Sequence, residues 1–430
     1  MRANKIDSFY GFTTFGESHG KAIGVVIEDI KPGIEFPEAD IQTLLNTRKP
    51  GKGEFSTSRK EADKLQVLSG VFEGKTTGMP ICLLVENTNA NPEDYEHLRE
   101  VFRPGHADYS LFKKFKIYDH RGGGRASGRE TISRVAASGM VSEILGDISI
   151  RVFPIQIGKF KVNESNLDLD LNLKLNPDNK LTRYLEEIKE AGDSVGGIVE
   201  VVIDNIPAGL GDPVFEKLDA NLAKAILSIG SVKGIEFGDG FALAAMNGSD
   251  SNDQNSETGF LSNHSGGILG GISTGQIIKF RFVVKPTSSI NIPQKTVDSN
   301  NQEKTIQVGG RHDTCIVPRI LPVAKAMTKL VLADALSYQK LVSYEKQTLT
   351  SLREAIDKID EDLLIGLHRR NEISKLIGQY KNENKLEIEN KEREKELMQN
   401  LKSKAKVWNI SEDFTESLWE LIISESKKQQ

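Results

Sequence analysis

Four arginines lie on a glycine-rich turn in the segment RGGGRASGRETISR: Arg121, Arg125, Arg129 and Arg134. Glycines let a backbone approach a ligand closely, and a helix that begins after such a turn offers free N–H groups to an anion. Guanidinium groups bind phosphate or carboxylate through paired hydrogen bonds. The segment predicts an anion site, with a solvated basic turn as the alternative. It is not a Walker A loop, because no Gly-Lys-Ser/Thr follows.

Two histidines stand beside glycines, His19 in TFGESHG and His106 in RPGHAD. A third turn, GGRHDTC, adds Arg311, His312 and Asp313. Together these side chains could supply a general acid, a general base and a cation. Taken one at a time, each histidine is equally consistent with a structural hydrogen-bonding role.

Two further segments, NHSGGILGGISTG (263–275) and KPTSS (285–289), combine glycines with hydroxyl groups. Such segments can cradle the phosphate of a cofactor, although they can also be tight turns.

A second cluster of charge lies near the end of the chain. Apolar residues recur with heptad-like spacing from Leu349 to Ile377, and this spacing places Arg370 on the apolar seam. Lys381 follows three turns later, about 16 Å away at 1.5 Å per residue, so two cations on one face could hold a dianion. Arg353 lies about 25 Å from Arg370 by the same rise, so only a second copy of the helix could bring it there.

The elements that must position these residues differ along the chain. All but two of the 38 glycines and all 14 prolines precede residue 345. Residues 1–344 are predicted to be a mixed α/β (α+β) region, with β-branched strands such as 22–30 and 197–206 alternating with helices. Residues 345–430 are predicted to be an all-α domain of three helices, near 348–384, 388–404 and 411–428, with Ser411 as an N-cap. Two polar stretches, 247–259 and 293–305, are expected to be mobile loops.

Bulk properties exclude several classes. The length of 430 residues indicates more than one domain, and no apolar run is long enough to span a membrane. A net charge of −5 argues against general nucleic-acid binding. Cys82 and Cys315 are far apart and outside any metal-binding spacing, so neither a disulfide nor a metal site is expected. No targeting segment is recognised, which favours the cytoplasm.

Residues 6–340 resemble the chorismate synthases. The motifs that carry the resemblance occur in the order TTFGESHG, LSGVFEGKTTGMPI, VFRPGHADY, RGGGRASGRET, GDSVGGIVEVV, IPAGLGDPVF, SNHSGGILGGISTGQ, KPTSSI and GRHDTC. The resemblance implies a β-α-β sandwich, a homotetramer, and use of reduced FMN in the 1,4-elimination of phosphate from 5-enolpyruvylshikimate 3-phosphate to give chorismate.

The resemblance also implies residue roles. His106 would protonate or stabilise the reduced flavin, His19 would assist departure of the phosphate, and Asp313 would work with the flavin in removing a proton. The substrate anions would be bound by Arg48, Arg103, Arg125, Arg129 and Arg134. The FMN would be bound by Arg125, Ala126, Ser127, Gly230, Ser231, Gly270, Lys285, Pro286, Thr287, Ser288, Ser289 and Arg311.

One difference from the family's usual sequence bears on how the FMN is reduced. Glu54 occupies, or lies next to, a position where many members carry an arginine associated with the anionic substrate or NADPH. Arg59 is close enough in sequence to replace that charge. Reduction of FMN by NADPH on this chain and supply of reduced FMN from outside both stay open.

Residues 349–430 resemble the all-helical chorismate mutases, from LREAIDKIDEDLLIGLHRR through IGQYK and EREKEL to IISESKKQQ. That family needs no cofactor, forms interlocked dimers and converts chorismate to prephenate. The resemblance assigns carboxylate binding to Arg370 and to Arg353 of the second chain, and the ether oxygen to Lys381 and Gln430. Other polar groups would be bound by Arg393, Glu394 and Ser426. Asn390 replaces a common aspartate, and the alternative is a non-catalytic tail for oligomerisation or effector binding. An unrelated flavin- or nucleotide-binding protein is the remaining alternative for the whole chain.

Overall fold

The structure is a computed structural model. It describes residues 4–7, 9–49, 55, 62–88, 96, 98–117, 119–162, 180–308, 313–342, 349–384, 387, 390–407 and 410–428. The chain forms two compact units, Met1–Lys340 and Leu341–Gln430. The division at 344/345 stays a prediction of where the two activities separate.

The described helices are α1 (Glu38–Arg48), α2 (Asp108–Phe115), α3 (Thr131–Met140), α4 (Lys180–Glu190), α5 (Leu218–Leu227), α6 (Gly248–Ser251), α7 (Val317–Val342), α8 (Leu349–Glu383), α9 (Lys391–Val407) and α10 (Glu412–Lys428). The described strands are β1 (Lys5–Asp7), β2 (Gly11–Gly16), β3 (Ala22–Glu28), β4 (Gln66–Ser69), β5 (Val71–Phe72), β6 (Lys75–Thr76), β7 (Ile81–Glu86), β8 (Ser149–Ile157), β9 (Phe160–Lys161), β10 (Gly197–Asp204), β11 (Val232–Phe237), β12 (Asn255–Ser256), β13 (Gly259–Phe260), β14 (Ile268–Leu269), β15 (Ile272–Ser273), β16 (Ile278–Val284), β17 (Gln294–Val297) and β18 (Glu303–Ile306).

Two five-stranded antiparallel sheets organise the first unit. Their strand orders are β1-β2-β3-β7-β4 and β11-β16-β10-β8-β9. Helix α3 packs on β2, β3 and β7, α1 packs on α3, and α5 packs on β11. Arg134 of α3 donates to Ser228 at the end of α5, so the two helical layers contact each other. The predicted mixed α/β fold is confirmed.

The central strands are the β-branched runs expected from the sequence. Val199, Val201 and Ile203 of β10 are fully buried, as are Ile23 and Val25 of β3. Each such side chain contributes about 1.5–3 kcal/mol when it is removed from water. A single apolar core therefore joins both sheets with α3, α5 and α7, and it fixes the loops at the strand ends.

Two stretches expected to be mobile loops contain short elements instead. Residues 293–305 include most of the β17–β18 hairpin, whose turn is held because Asp298 Oδ1 accepts from the backbone N–H groups of Asn300 and Gln302, both at 2.9 Å. Residues 247–259 include α6 and β12.

The second unit consists of α8, α9 and α10, so the predicted all-helical domain is confirmed. Ser411 caps α10, because its Oγ accepts from Phe414 N at 3.3 Å. Asn390 caps α9 in the same way, with Oδ1 accepting from Arg393 N at 2.9 Å. In the described part of the chain, no helix combines the length and the apolar character needed to cross a bilayer.

Candidate active sites

His19 lies against the glycine-rich turn. Its ring is buried, with Nδ1 3.0 Å from Ser18 Oγ. Gly122 has φ +66°, and a Cβ there would lie 2.3 Å from the His19 ring. Only glycine fits this contact, so the turn and the predicted catalytic histidine are placed together.

His106 contacts the KPTSS segment. Its Nδ1 is 3.1 Å from the carbonyl oxygen of Pro104, and its Nε2 is 2.8 Å from Ser289 Oγ. Burial lowers the pKa of His106, and the charges of Arg103 and Lys285 lower it further. The ring is therefore neutral at pH 7. A carbonyl can only accept, so Nδ1 carries the proton and Nε2 accepts from the Ser289 hydroxyl.

Several of the predicted cofactor residues lie close to one another beside His106. Lys285 Nζ and Ser288 Oγ both donate to Gly105 O, at 3.1 and 2.9 Å. Lys285 N donates to Ser231 O at 2.8 Å, and Ser231 has a left-handed backbone with φ +73°. This arrangement brings a cation, hydroxyl groups and exposed backbone together beside His106.

The glycine-rich turn reaches this region too. A Cβ built on Gly230 would lie 3.9 Å from Ala126 O. Ser127 caps the short helix Gly128–Glu130, because its Oγ accepts from Arg129 N at 3.3 Å. Residues 126–127 and 230–231 are thus neighbours, as the resemblance implies for a shared ligand.

A phosphate-bearing flavin fits these residues. Thr287 Oγ1 is buried and has no hydrogen-bond partner among the described residues, while the Thr287 carbonyl accepts from Ser194 Oγ at 2.6 Å. A buried hydroxyl without a partner is costly, so a bound anion that accepts from it would be stabilising. Lys285 supplies the cation for such a ligand.

Two predicted substrate arginines share one buried carboxylate. Asp63 Oδ2 accepts from Arg48 Nη2 at 2.9 Å, and Asp63 Oδ1 accepts from Arg129 Nη1 at 3.0 Å. Burial lowers the pKa of Arg48, Asp63 raises it, and the nearby charge of Arg319 lowers it. The shared carboxylate fixes both guanidinium groups in place.

Arg103 forms a two-pronged pair with Asp108, at 2.7 and 2.8 Å, and also donates to Gly122 O at 2.7 Å. Arg103 and Asp108 belong to the motif VFRPGHADY, and Gly122 belongs to RGGGRASGRET. Arg103 therefore connects the turn that contacts His19 with the loop that carries His106.

Arg134 and Arg125 both face Glu130. Arg134 Nε is 2.9 Å and Arg125 Nη2 is 3.6 Å from that carboxylate. Arg125 also donates to Gly16 O at 3.0 Å, on the strand that precedes His19. Arg125 also donates to Asn4 Oδ1 and Thr14 Oγ1, and Arg134 also donates to Ser228, so few of the five N–H donors of each guanidinium are left for an anion.

Asp313 is buried and pairs with Arg319 of α7, with Nη1 2.5 Å from Oδ2. Thr314 N donates to Phe55 O at 3.1 Å, and Val195 N donates to Thr314 O at 2.9 Å. These contacts join Asp313 to the loop that follows Arg48 and, through residues 194–195, to the KPTSS segment.

Some predicted residues are not joined to this cluster. Gly270 forms the turn between β14 and β15, and no contact among the described residues links it to residues 285–289. Arg311, His312, Glu54 and Arg59 lie outside the described residues. In the described ranges, no group of three or more His, Cys, Asp or Glu side chains is arranged for a metal ion.

Three site residues escaped sequence reasoning: Asp63, Asp108 and Arg319. Asp63 and Asp108 occur in EADK and GHADY, where an isolated acid is normally solvated. Arg319 lies in the first turn of a largely apolar helix that also carries three lysines, so nothing in the sequence singles it out. The one signal in the sequence is general: a buried cluster of several arginines needs carboxylates beside it, but the sequence does not say which ones.

In the second unit Arg370, which lies on α8, is half-buried against α10. Its Nη1 donates to Ile422 O at 3.3 Å and to Ser426 Oγ. Burial lowers the pKa of Arg370. Two residues predicted to bind the same substrate are thereby in direct contact, whereas the neighbouring Arg369 is exposed.

Glu394 of α9 pairs with Lys427 of α10 at 2.9 Å. Arg393 is exposed and pairs with Glu396 at 3.3 Å. Lys381 is half-buried near the end of α8, and Arg353 is exposed near its beginning. Gln430 lies outside the described residues.

The apolar seam predicted for α8 is open within a single chain. Ile359, Leu363 and Ile373 are each more than half exposed. The heptad spacing is genuine, but α9 and α10 do not cover this face.

Comparison with known proteins gives two family matches. Residues 10–337 match the family model described as chorismate synthase, and residues 352–430 match the model described as chorismate mutase type II. A chorismate synthase of Syntrophus aciditrophicus is 50% identical over 353 residues, which cover 80% of this chain and 100% of the relative. One of Paramagnetospirillum magneticum is 47% identical over 352 residues, 78% of this chain and 97% of the relative. A crystal structure of chorismate synthase superposes with a TM-score of 0.58 at 28% identity, covering 82% of this chain and 97% of that one.

Proposed function

The chain belongs to the chorismate synthase family and ends in a type II chorismate mutase domain, and we propose that it converts 5-enolpyruvylshikimate 3-phosphate through chorismate to prephenate. The contact of His106 with the KPTSS segment carries this proposal, because it joins a predicted acid–base residue to the predicted cofactor site. One unit then makes the substrate of the other.

We propose reduced FMN as the cofactor of the first unit. Bound there, it would supply an electron transiently to the substrate and take part in loss of the proton. Lys285, Thr287 and Ser231 would hold its phosphate-bearing portion. His106, neutral and hydrogen-bonded to Ser289, would face the flavin with Nε2 as the atom able to take a proton.

The substrate carries a phosphate and two carboxylates, so its site must be cationic. Arg48, Arg129 and Arg134 are already oriented by Asp63 and Glu130, which limits the side-chain entropy lost on binding. His19 would donate to the departing phosphate. Asp313 would accept the proton, and its pairing with Arg319 fixes the direction of its carboxylate.

The second unit needs no cofactor for a pericyclic rearrangement. Catalysis there would come from holding chorismate in its compact conformer and placing cations where charge develops. Arg370, Lys381, Glu394 and Ser426 are the described residues assigned to this work. Arg353 would come from a second chain.

We also propose a cytoplasmic homo-oligomer, a tetramer through the first unit with tails pairing as dimers. The open apolar seam of α8 supports tail pairing, because exposed apolar rows of this kind are normally covered. Light scattering of the intact chain measures its oligomeric state. Whether NADPH reduces FMN on this chain is measured by flavin bleaching under anaerobic conditions.

Anaerobic product analysis tests the whole proposal. The intact chain receives 5-enolpyruvylshikimate 3-phosphate and chemically reduced FMN, and prephenate with released phosphate is expected. Chorismate alone would mean that the tail is a non-catalytic oligomerisation or effector module. Absence of phosphate release would contradict the synthase assignment. Chorismate supplied without flavin is the control that isolates the second unit.

A further inference from the structure

Arg319 holds the predicted proton acceptor. It lies in the first turn of α7, and its Nη1 approaches Asp313 Oδ2 to 2.5 Å while most of the side chain is buried. A charge-assisted contact of this length restricts the carboxylate to one orientation. The pairing with Arg319 therefore helps to hold Asp313 in position.

The same arginine has a donor left over. Its Nε is buried and has no hydrogen-bond partner among the described residues, and the same is true of Arg48 Nε. Arg48 is only 2% exposed. A buried N–H without an acceptor is costly, so a ligand acceptor at each of these atoms would be stabilising.

The two guanidinium groups belong to one charge cluster. The positive charge of Arg319 acts on Arg48, and the Thr314 N–H donates to Phe55 O, which ties the segment after Asp313 to the loop after Arg48. Among the described residues, three guanidinium groups, with Arg129 as the third, face two carboxylates, Asp63 and Asp313. The excess of one positive charge in a largely buried region favours binding of an anion.

We propose that Arg319 couples substrate binding to the position of the proton acceptor: its Nη1 holds Asp313, and its Nε, together with Arg48 Nε, donates to a phosphate or carboxylate of the substrate. This inference rests on the proposed synthase function. Arg319 is thus both an anion-binding residue and the positioning residue of Asp313.

Two variants distinguish the anion-binding role of Arg319 from its role in positioning Asp313. Arg319→Gln removes the charge and the fork, so kcat should fall about 100-fold and KM for 5-enolpyruvylshikimate 3-phosphate should rise about 10-fold or more. Arg319→Lys keeps a cation for Asp313 but, as a point charge, cannot serve two acceptors in a fixed geometry. It should restore most of kcat while KM stays raised.

The control is Arg151→Gln, which removes a more exposed Arg–Asp pair with Asp204, between neighbouring strands β8 and β10 of the second sheet. Calorimetry gives a readout that does not depend on turnover: Arg319→Gln should bind 5-enolpyruvylshikimate 3-phosphate about 10-fold more weakly and FMN within 2-fold of wild type. Thermal unfolding checks that each variant is folded. If Arg319→Gln does not fold, the comparison of Arg319→Lys with wild type tests the proposal.

The outcomes distinguish the two proposals. A wild-type chain that neither binds this substrate nor releases phosphate overturns both. If wild type is active and Arg319→Gln matches Arg151→Gln in kcat and binding, the inference about Arg319 is wrong and the synthase function stands. Equal effects of the Lys and Gln variants on kcat would contradict the positioning role.

Discussion

Replacement of Arg370 by alanine is expected to remove mutase activity and leave synthase activity intact. Arg370 is half-buried and donates to Ile422 O and Ser426 Oγ, so its guanidinium is already oriented in the free protein. Loss of one partner of a desolvated ion pair costs about 2–5 kcal/mol. At 1.36 kcal/mol per tenfold change, kcat/KM for chorismate should fall by about 30- to 5,000-fold.

The assay follows the disappearance of chorismate by absorbance without flavin. Arg369→Ala is a matched control, because the neighbouring side chain is exposed and has the same charge; it should stay within about 2-fold of wild type. Ser426→Ala removes an acceptor but no charge, so a loss of about 2- to 10-fold is expected. An Arg370→Ala variant that keeps a third of wild-type kcat/KM, or an equal loss in Arg369→Ala, would refute the reasoning.

Three further predictions concern the first unit. Asp63→Asn leaves Arg48 and Arg129 buried without their shared carboxylate, so the free energy of unfolding should fall by about 3–5 kcal/mol in urea titrations; a fall below about 1 kcal/mol contradicts this. The pKa of His106 is lower in the folded than in the unfolded state, so the unfolded chain binds the proton first and stability should fall as pH drops below about 6.5. The His106→Asn variant should lose less stability over the same pH range. An identical dependence of the urea midpoint on pH in the variant and in wild type would refute this prediction. Burial raises the pKa of Cys315 to about 12, so native protein should resist alkylation there at about pH 8, whereas denatured protein should react; equal labelling by mass spectrometry would contradict this.

Much of the fold follows from periodicity. The strand of residues 197–204 lies within the predicted strand of residues 197–206, because β-branched runs encode burial directly. The hairpin of β17 and β18 was missed because its residues are polar. Its turn depends on the single side chain of Asp298 rather than on an apolar pattern.

Candidate site residues could be named from the sequence where a motif concentrates chemistry, and not where one residue supports another; their roles stay predictions. The glycine-rich turn and KPTSS are visible in the sequence; the turn contacts His19 and KPTSS contacts His106, while their shared role in binding a ligand stays a prediction. The tautomer of His106 requires knowledge of Pro104 O and Ser289 Oγ, which are spatial neighbours. Arg319 has no local pattern at all, since only its distance to Asp313 distinguishes it from a surface cation.

The α8 seam shows a different limit. Heptad spacing reports that Ile359 and Leu363 are to be buried, but it does not say against what. Because the three helices of one chain leave this face exposed, the pattern describes a contact that a single sequence cannot specify.

The shared carboxylate of Asp63 has a consequence for the order of folding. It joins Arg48 at the end of α1 to Arg129 just before α3, positions 15 and 66 residues away along the chain. The complete cluster of both guanidinium groups on Asp63 forms only after α1 and α3 have both docked, because long-range contacts form only after loop closure. Chains in which either helix is not yet docked therefore lack part of the proposed substrate site, and during refolding catalytic competence should return with the last phase of structure formation, not in proportion to helix content.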